Sequence, residues 1–132
     1  MQKYFVAYRL TGEEPEILKE RLSLVVAALR EAGIDAYCNY FDEQINQQLT
    51  PRQIMDKAFA QIDASDGLFA LVASNDKSAG QLVEVGYALA KDKHVIAAIQ
   101  LNAATLIKNL AHQTIRWNDL ADLKLQLKGL VP

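Results

Sequence analysis

The sequence predicts an α/β fold in which helices cover both faces of a parallel sheet. Three observations predict it. Short β-rich runs alternate with segments of helical apolar spacing along the 132 residues. Two of the runs, Gly67 to Ala73 and His94 to Ile99, are almost wholly apolar, as strands are when both sheet faces are covered. No repeat, linker or low-complexity stretch divides the chain, so one domain over 1–132 is expected.

Tyr4 to Tyr8 reads as the first strand. Pro15 to Ala32 places Ile17, Leu18, Leu22, Val25, Val26 and Leu29 at helical spacing, and Gly33 stands where a helix C-cap falls. Ile34 to Cys38 is a second strand. Asn39 to Leu49 is rich in Asn and Gln, with Tyr40 and Phe41 embedded; it reads as a surface loop or as a lid whose aromatics stack on a ligand. Thr50-Pro51-Arg52-Gln53 starts a helix that runs to Ala64: Thr50 can cap, Pro51 suits the first position, and Gln53 completes a capping box. Gly67 to Ala73 is the third strand, Ala79 to Asp92 the third helix and His94 to Ile99 the fourth strand. Ala103 to Ala111 reads as a helix, Thr114 to Trp117 as a short strand, and Asn118 as the cap of a last helix through Lys128. Five such β-α units suit a three-layer, doubly wound, flavodoxin-like fold with strand order 2-1-3-4-5.

Bulk properties narrow the function. A net charge of -2 offers no electrostatic footprint for a nucleic acid polymer or an anionic membrane. Cys38 is the only cysteine, so neither an intrachain disulfide nor a cysteine-based metal cluster can form; no metal and no cofactor are expected. No apolar run suggests a membrane span, and the opening Met-Gln-Lys-Tyr is too soon polar for a leader. A cytoplasmic protein is expected.

In a parallel sheet of this order, ligands bind beyond the carboxyl ends of the strands, at the point where the order reverses. That rim carries Tyr8-Arg9-Leu10-Thr11-Gly12, Ser74-Asn75-Asp76-Lys77-Ser78 and Gln100-Leu101-Asn102. Asp63 and Asp66 fall at the opposite rim, where they close a helix and start a strand. The third helix opens with Ser78 as N-cap and Gly80, whose missing side chain leaves room for a ligand beside the free N–H groups. Glu84 follows four residues after Gly80 on the same face, with Ala88 beyond it, while Leu82, Val85 and Leu89 form the core-facing set. An acid flanked by small residues can face a ligand or simply be a solvated helix glutamate, and position alone leaves both open.

Ser78-x-Gly80-x-x-x-Glu84-x-Gly86-Tyr87-Ala88 resembles the signature of the nucleoside 2-deoxyribosyltransferase family, which includes deoxynucleoside 5'-monophosphate N-glycosidases. The resemblance extends over Lys3-Tyr4-Phe5, Ala64 to Ala70, Lys93 to Ile96 and Ile115 to Asn118. It implies the flavodoxin-like sheet and a catalytic role for Glu84, whose carboxylate would attack the anomeric carbon of a deoxyribosyl group and expel the base. It implies that Ser78 and Gly80 hold the sugar's 5' end and that the Tyr4 hydroxyl lies near the nucleophile; Tyr4 read alone is equally a half-buried strand aromatic. Tyr8 and Arg9 belong to the first turn of the site. An amide near the fifth strand, matched by Gln113 beside His112, would reach a neighbouring subunit in a homo-oligomer. The family's second-helix aspartate has no counterpart: its position is Ala58, and Asp56 lies about 200° around the helix from it. Glu13, Glu14 and Glu16 at the first helix start disfavour a phosphate, so a nucleoside is preferred over a nucleotide as the small-molecule partner. The alternatives are a non-catalytic nucleotide-derivative binding module, favoured by the missing aspartate, and a TIR-like NAD glycohydrolase.

Overall fold

The computed structural model describes residues 1–45, 48–75 and 77–130. Asp76 of the expected ligand rim and Asn46 and Gln47 of the Gln/Asn-rich loop lie outside them. The elements follow in the order β1 (Gln2–Ala7), α1 (Pro15–Glu31), β2 (Ile34–Tyr37), α2 (Pro51–Asp63), β3 (Gly67–Val72), α3 (Ala79–Ala90), β4 (His94–Gln100), α4 (Ile107–Leu110), β5 (Gln113–Trp117) and α5 (Leu120–Lys128). The strands form one parallel sheet in the order β2-β1-β3-β4-β5, as the alternation predicts.

Period-two alternation divides the sheet's side chains between two cores. Val6, Phe69, Leu71, Ile96 and Ala98 face α1 and α5, joined by Leu22, Leu29, Leu123 and Trp117. Phe5, Ala7, Leu68, Ala70, Val72, Ala97 and Ile99 face α2 and α3 through Ala58, Ile62, Val85 and Ala88. Every residue of β3 is buried, which is why its sequence is an unbroken apolar run.

The caps match the sequence at three ends. Thr50 and Gln53 make a reciprocal capping box. Gly33 adopts φ +85, the left-handed conformation that ends α1 after Ala32. Ser78 caps α3 by accepting from the Gln81 backbone N–H at 3.2 Å.

Three expectations are corrected. The helix expected over Ala103 to Ala111 is confined to Ile107–Leu110. Residues 103–106 are held open by tertiary hydrogen bonds: the Arg116 guanidinium donates to the Ala103 carbonyl at 3.0 Å, and Ala104 N–H donates to Asn75 Oδ1 at 2.7 Å. The last helix is capped by Asp119, not Asn118, because the Asp119 carboxylate accepts from Asp122 N–H while Asn118 N–H donates to Asp122. On α3 the stripe against the sheet is Gln81, Glu84, Val85 and Ala88, with Leu82 and Leu89 half-buried at its margins.

Candidate active site

A cleft of about 450 Å³ opens at the carboxyl rim beside the N-terminus of α3. One wall is the turn after β1, contributing Tyr8, Arg9, Leu10 and Thr11. A second is α3, contributing Ser78, Gly80, Gln81 and Glu84, and Lys77 just before it. Asn39 after β2 and Ile54 and Met55 of α2 complete the lining. The strands β1 and β3, whose ends flank it, are neighbours in the sheet, and their helices α1 and α3 lie on opposite faces. The cleft therefore sits at the point where the strand order reverses.

Glu84 is the buried acid of this cleft, with 9% of its surface exposed. Burial pushes its carboxyl up to about 8, and no hydrogen bond or ion pair among the described residues offsets the loss of water. Glu84 is therefore mostly neutral at pH 7, and ionising it is costly until a ligand or a rise in pH intervenes. Tyr8 is driven above the usual phenol range, first by burial and then by the nearby Cys38 and Glu84, so its hydroxyl stays a donor. Burial likewise pushes the Cys38 thiol up to about 12, which removes it as a nucleophile.

Arg9 lies in the same wall, where it pairs with Glu13 at 3.2 Å and approaches Ser74 Oγ at 3.4 Å. Glu13 also meets Arg21 at 3.9 Å. Glu14 caps α1 with its own carboxylate, accepting from Glu16 N–H and Ile17 N–H. That helix N-terminus is thus already occupied by an anion.

Of the residues singled out in the sequence, Glu84, Tyr8, Arg9, Ser78 and Gly80 come together in the cleft. Tyr4 and Gln113 do not line it. Tyr4 pairs in register with Gly67, the first residue of β3, and its ring meets His94 edge-on at 6.5 Å. It is packed so closely that a Cβ on Gly67 would collide with it. Tyr4 is therefore at the amino rim, roughly 13 Å down the strand from Tyr8, and the tyrosine near Glu84 is Tyr8. Gln113 is exposed at the start of the edge strand β5, in register with Ile96. His112 ties β5 to β4 by accepting from Val95 N–H through Nδ1 at 2.9 Å. Asp66 accepts from Lys3 N–H and Asp63 from the Tyr87 hydroxyl, the structural roles expected of the amino rim.

Ala58 is buried beneath α2 and reaches no part of the cleft, while Asp56 points outward to Arg52 at 3.0 Å. The α2 residues that do reach it, Ile54 and Met55, are apolar. Among the described residues no group of three or more His, Cys, Asp or Glu side chains could hold a metal ion.

The sequence reading missed Gln81 and Asn39. Gln81 is buried and its amide nitrogen donates to the Ala7 carbonyl at 3.1 Å and the Leu71 carbonyl at 2.9 Å, pinning α3 to the ends of β1 and β3. The signal was present, since Gln81 lies three residues before Glu84 on one helix face. Asn39 Oδ1 is buried without a hydrogen-bond partner among the described residues. Nothing in the Asn39 to Leu49 composition distinguished it.

The sequence matches the model of the nucleoside 2-deoxyribosyltransferase family over residues 14–125. The chain belongs to that family. Solved structures share its fold. A CMP N-glycosidase of Clostridium botulinum superposes with a TM-score of 0.73 at 21% identity, over 96% of this chain and 98% of that one. A 2-deoxyribosyltransferase of the psychrotolerant bacterium Bacillus psychrosaccharolyticus gives 0.69 at 18% identity, over 92% and 90%. A conserved protein of Enterococcus faecalis V583 gives 0.68 at 20% identity, over 97% and 98%. No curated protein matches the chain in sequence. Family membership carries a function of nucleoside deoxyribosyltransferase or N-glycosidase type, on small nucleoside substrates. No helix among the described residues is long and apolar enough to cross a membrane.

Proposed function

We propose that this protein cleaves or exchanges the N-glycosidic bond of 2-deoxynucleosides, with Glu84 as nucleophile. The observation that carries the reading is a desolvated carboxyl, without a salt-bridge partner among the described residues, on the wall of a nucleoside-sized cleft at the sheet's switch point. In the first step a Glu84 carboxylate oxygen bonds to the anomeric carbon, the bond from that carbon to the base nitrogen breaks, and the base leaves with the electron pair. In the second, water or another base attacks the same carbon and frees the carboxylate. The Tyr8 hydroxyl, held protonated, donates toward Glu84 or the sugar ring. Ser78 and Gly80, at the helix N-terminus, hold the far end of the sugar. With only the apolar Ile54 and Met55 reaching the cleft from α2, the departing base takes its proton from water.

A nucleoside is preferred to its 5'-monophosphate. The α1 N-terminus is filled by Glu14, and Arg9 is paired with Glu13, so a phosphate there would displace two carboxylates. The active form is a cytoplasmic homo-oligomer in which Gln113 reaches a neighbour's cleft. Support comes from the unpaired buried thiol of Cys38, suited to a reducing compartment, and from the exposed apolar side chains of Val83, Leu106 and Leu110. One observation favours a second reading: no acid on α2 faces the cleft, as a non-catalytic nucleoside-binding module would allow.

The test is chromatography of the purified protein incubated with deoxynucleosides, their monophosphates and NAD, beside Glu84→Ala. Base release from deoxynucleosides that the variant abolishes supports the reading. Saturable binding without base release would establish the binding module, nicotinamide release from NAD a TIR-like activity, and unchanged turnover in Glu84→Ala would remove Glu84 from the chemistry.

A further inference from the structure

Gln81 does more than pin α3. Its amide nitrogen has two hydrogens, and both neighbours it meets, the Ala7 and Leu71 carbonyls, can only accept. The orientation of the carboxamide is thereby fixed: the nitrogen faces the strand ends and Oε1 faces away from them. Oε1 has no donor among the described residues, and it is not one of the buried atoms left without a partner. Gln81 lines three cavities at this rim, the Glu84 cleft among them. It lies one turn before Glu84 on the buried stripe of α3. Gln81 as a whole is 5% exposed, and its two amide hydrogen bonds hold the carboxamide in place.

We infer that Gln81 is a specificity-determining residue of the cleft, its Oε1 accepting a hydrogen bond from a sugar hydroxyl of the bound nucleoside. The inference rests on the nucleoside reading above and adds a preorganised acceptor to it. A rigid acceptor selects ligands that carry a donor, because a ligand lacking one leaves the oxygen desolvated and unpaired. The donor is a hydroxyl of the deoxyribose, since Gln81 shares the α3 wall with the acid that attacks the sugar.

The test is calorimetric binding of a deoxynucleoside and its 3'-deoxy and 5'-deoxy analogues to wild type, Gln81→Met and Gln81→Lys. The lysine ammonium can still donate to both strand carbonyls but has no acceptor, so it separates the pin from the oxygen. Wild type is expected to bind the parent roughly tenfold or more tightly than one of the two analogues. Both variants should bind parent and that analogue within about twofold of each other. Folding of each variant is checked by circular dichroism. Discrimination retained in Gln81→Lys, or lost affinity for all three ligands alike, would overturn the inference while leaving the nucleoside reading intact. Failure of wild type to bind any of the three would sink both.

Discussion

Tyr8 and Glu84 reach one cleft from different elements, the turn after β1 and the middle of α3, and burial beside Cys38 and Glu84 keeps the Tyr8 hydroxyl protonated. Tyr4, on the same strand, is sealed at the other rim against Gly67 and His94. The two tyrosines should therefore separate in function. Tyr8→Phe is expected to lower kcat/KM roughly tenfold to a hundredfold, the range for losing one aligned donor, with little change in melting temperature. Tyr4→Phe should leave kcat/KM within about twofold. Steady-state kinetics of the two variants on one deoxynucleoside decide it, and an equal loss in Tyr4→Phe would contradict the placement.

How much of this was readable beforehand depends on which residues a pattern can see. The sheet was legible because β3, and β4 between its polar ends His94 and Gln100, are buried on both faces and so are apolar. Thr50, Pro51 and Gln53 announced α2 because capping is a local interaction. The helical reading of 103–106 fails because what holds them open is distant in sequence: Arg116 takes the Ala103 carbonyl that a helix would have used, and Asn75 anchors the Ala104 N–H. The tyrosines show the same limit at the site. Tyr8 falls on the carboxyl rim by its place at the end of the strand, whereas the resemblance pointed to Tyr4, which the register of β1 on β3 sets at the other rim. Gln81 is legible only in part: its place on the Glu84 face follows from helical spacing, but its partners, the Ala7 and Leu71 backbone carbonyls, leave no mark in the sequence.

The elevated carboxyl of Glu84 sets a direction for the pH–rate profile. A nucleophile must be ionised, so kcat/KM should rise about tenfold per pH unit up to about 8 and then level off. Tyr8 and Cys38 remain protonated through that range, and no histidine lines the cleft among the described residues, so the inflection belongs to Glu84. Were Glu84 a general acid instead, the rate would fall above the same pH. Initial rates of base release between pH 5 and about 9 distinguish the two.

Stability should move the opposite way. Below the ordinary carboxyl value of 4.5 Glu84 is protonated in both folded and unfolded chains. Between 4.5 and about 8 the folded chain keeps a proton that the unfolded chain has released, so folding loses free energy as pH rises. Above about 8 both are ionised and the loss is complete. Glu84→Gln, neutral throughout, removes this slope and should be more stable than wild type above pH 8, by on the order of a few kcal/mol. Urea unfolding of both proteins at pH 5 and about 9 measures it. Parallel pH dependences in the two would show that Glu84 is not the strained group.

The missing acid of α2 gives the last expectation. Ala58 is 2% exposed and packs with Ile62, Val85 and Ala88 between α2, α3 and the sheet. An aspartate at that position would place a carboxyl in an apolar core without a cationic partner, because the exposed Arg52 and the half-buried Lys57 lie on other faces of the helix. Ala58→Asp should therefore destabilise the protein by several kcal/mol and leave kcat no higher. Denaturant midpoints and single-turnover base release, measured together, test both halves. A variant as stable as wild type that also releases base faster would mean that α2 can rotate position 58 into the cleft. The apolar Ile54 and Met55 wall would then be a state of the free protein and not of the complex.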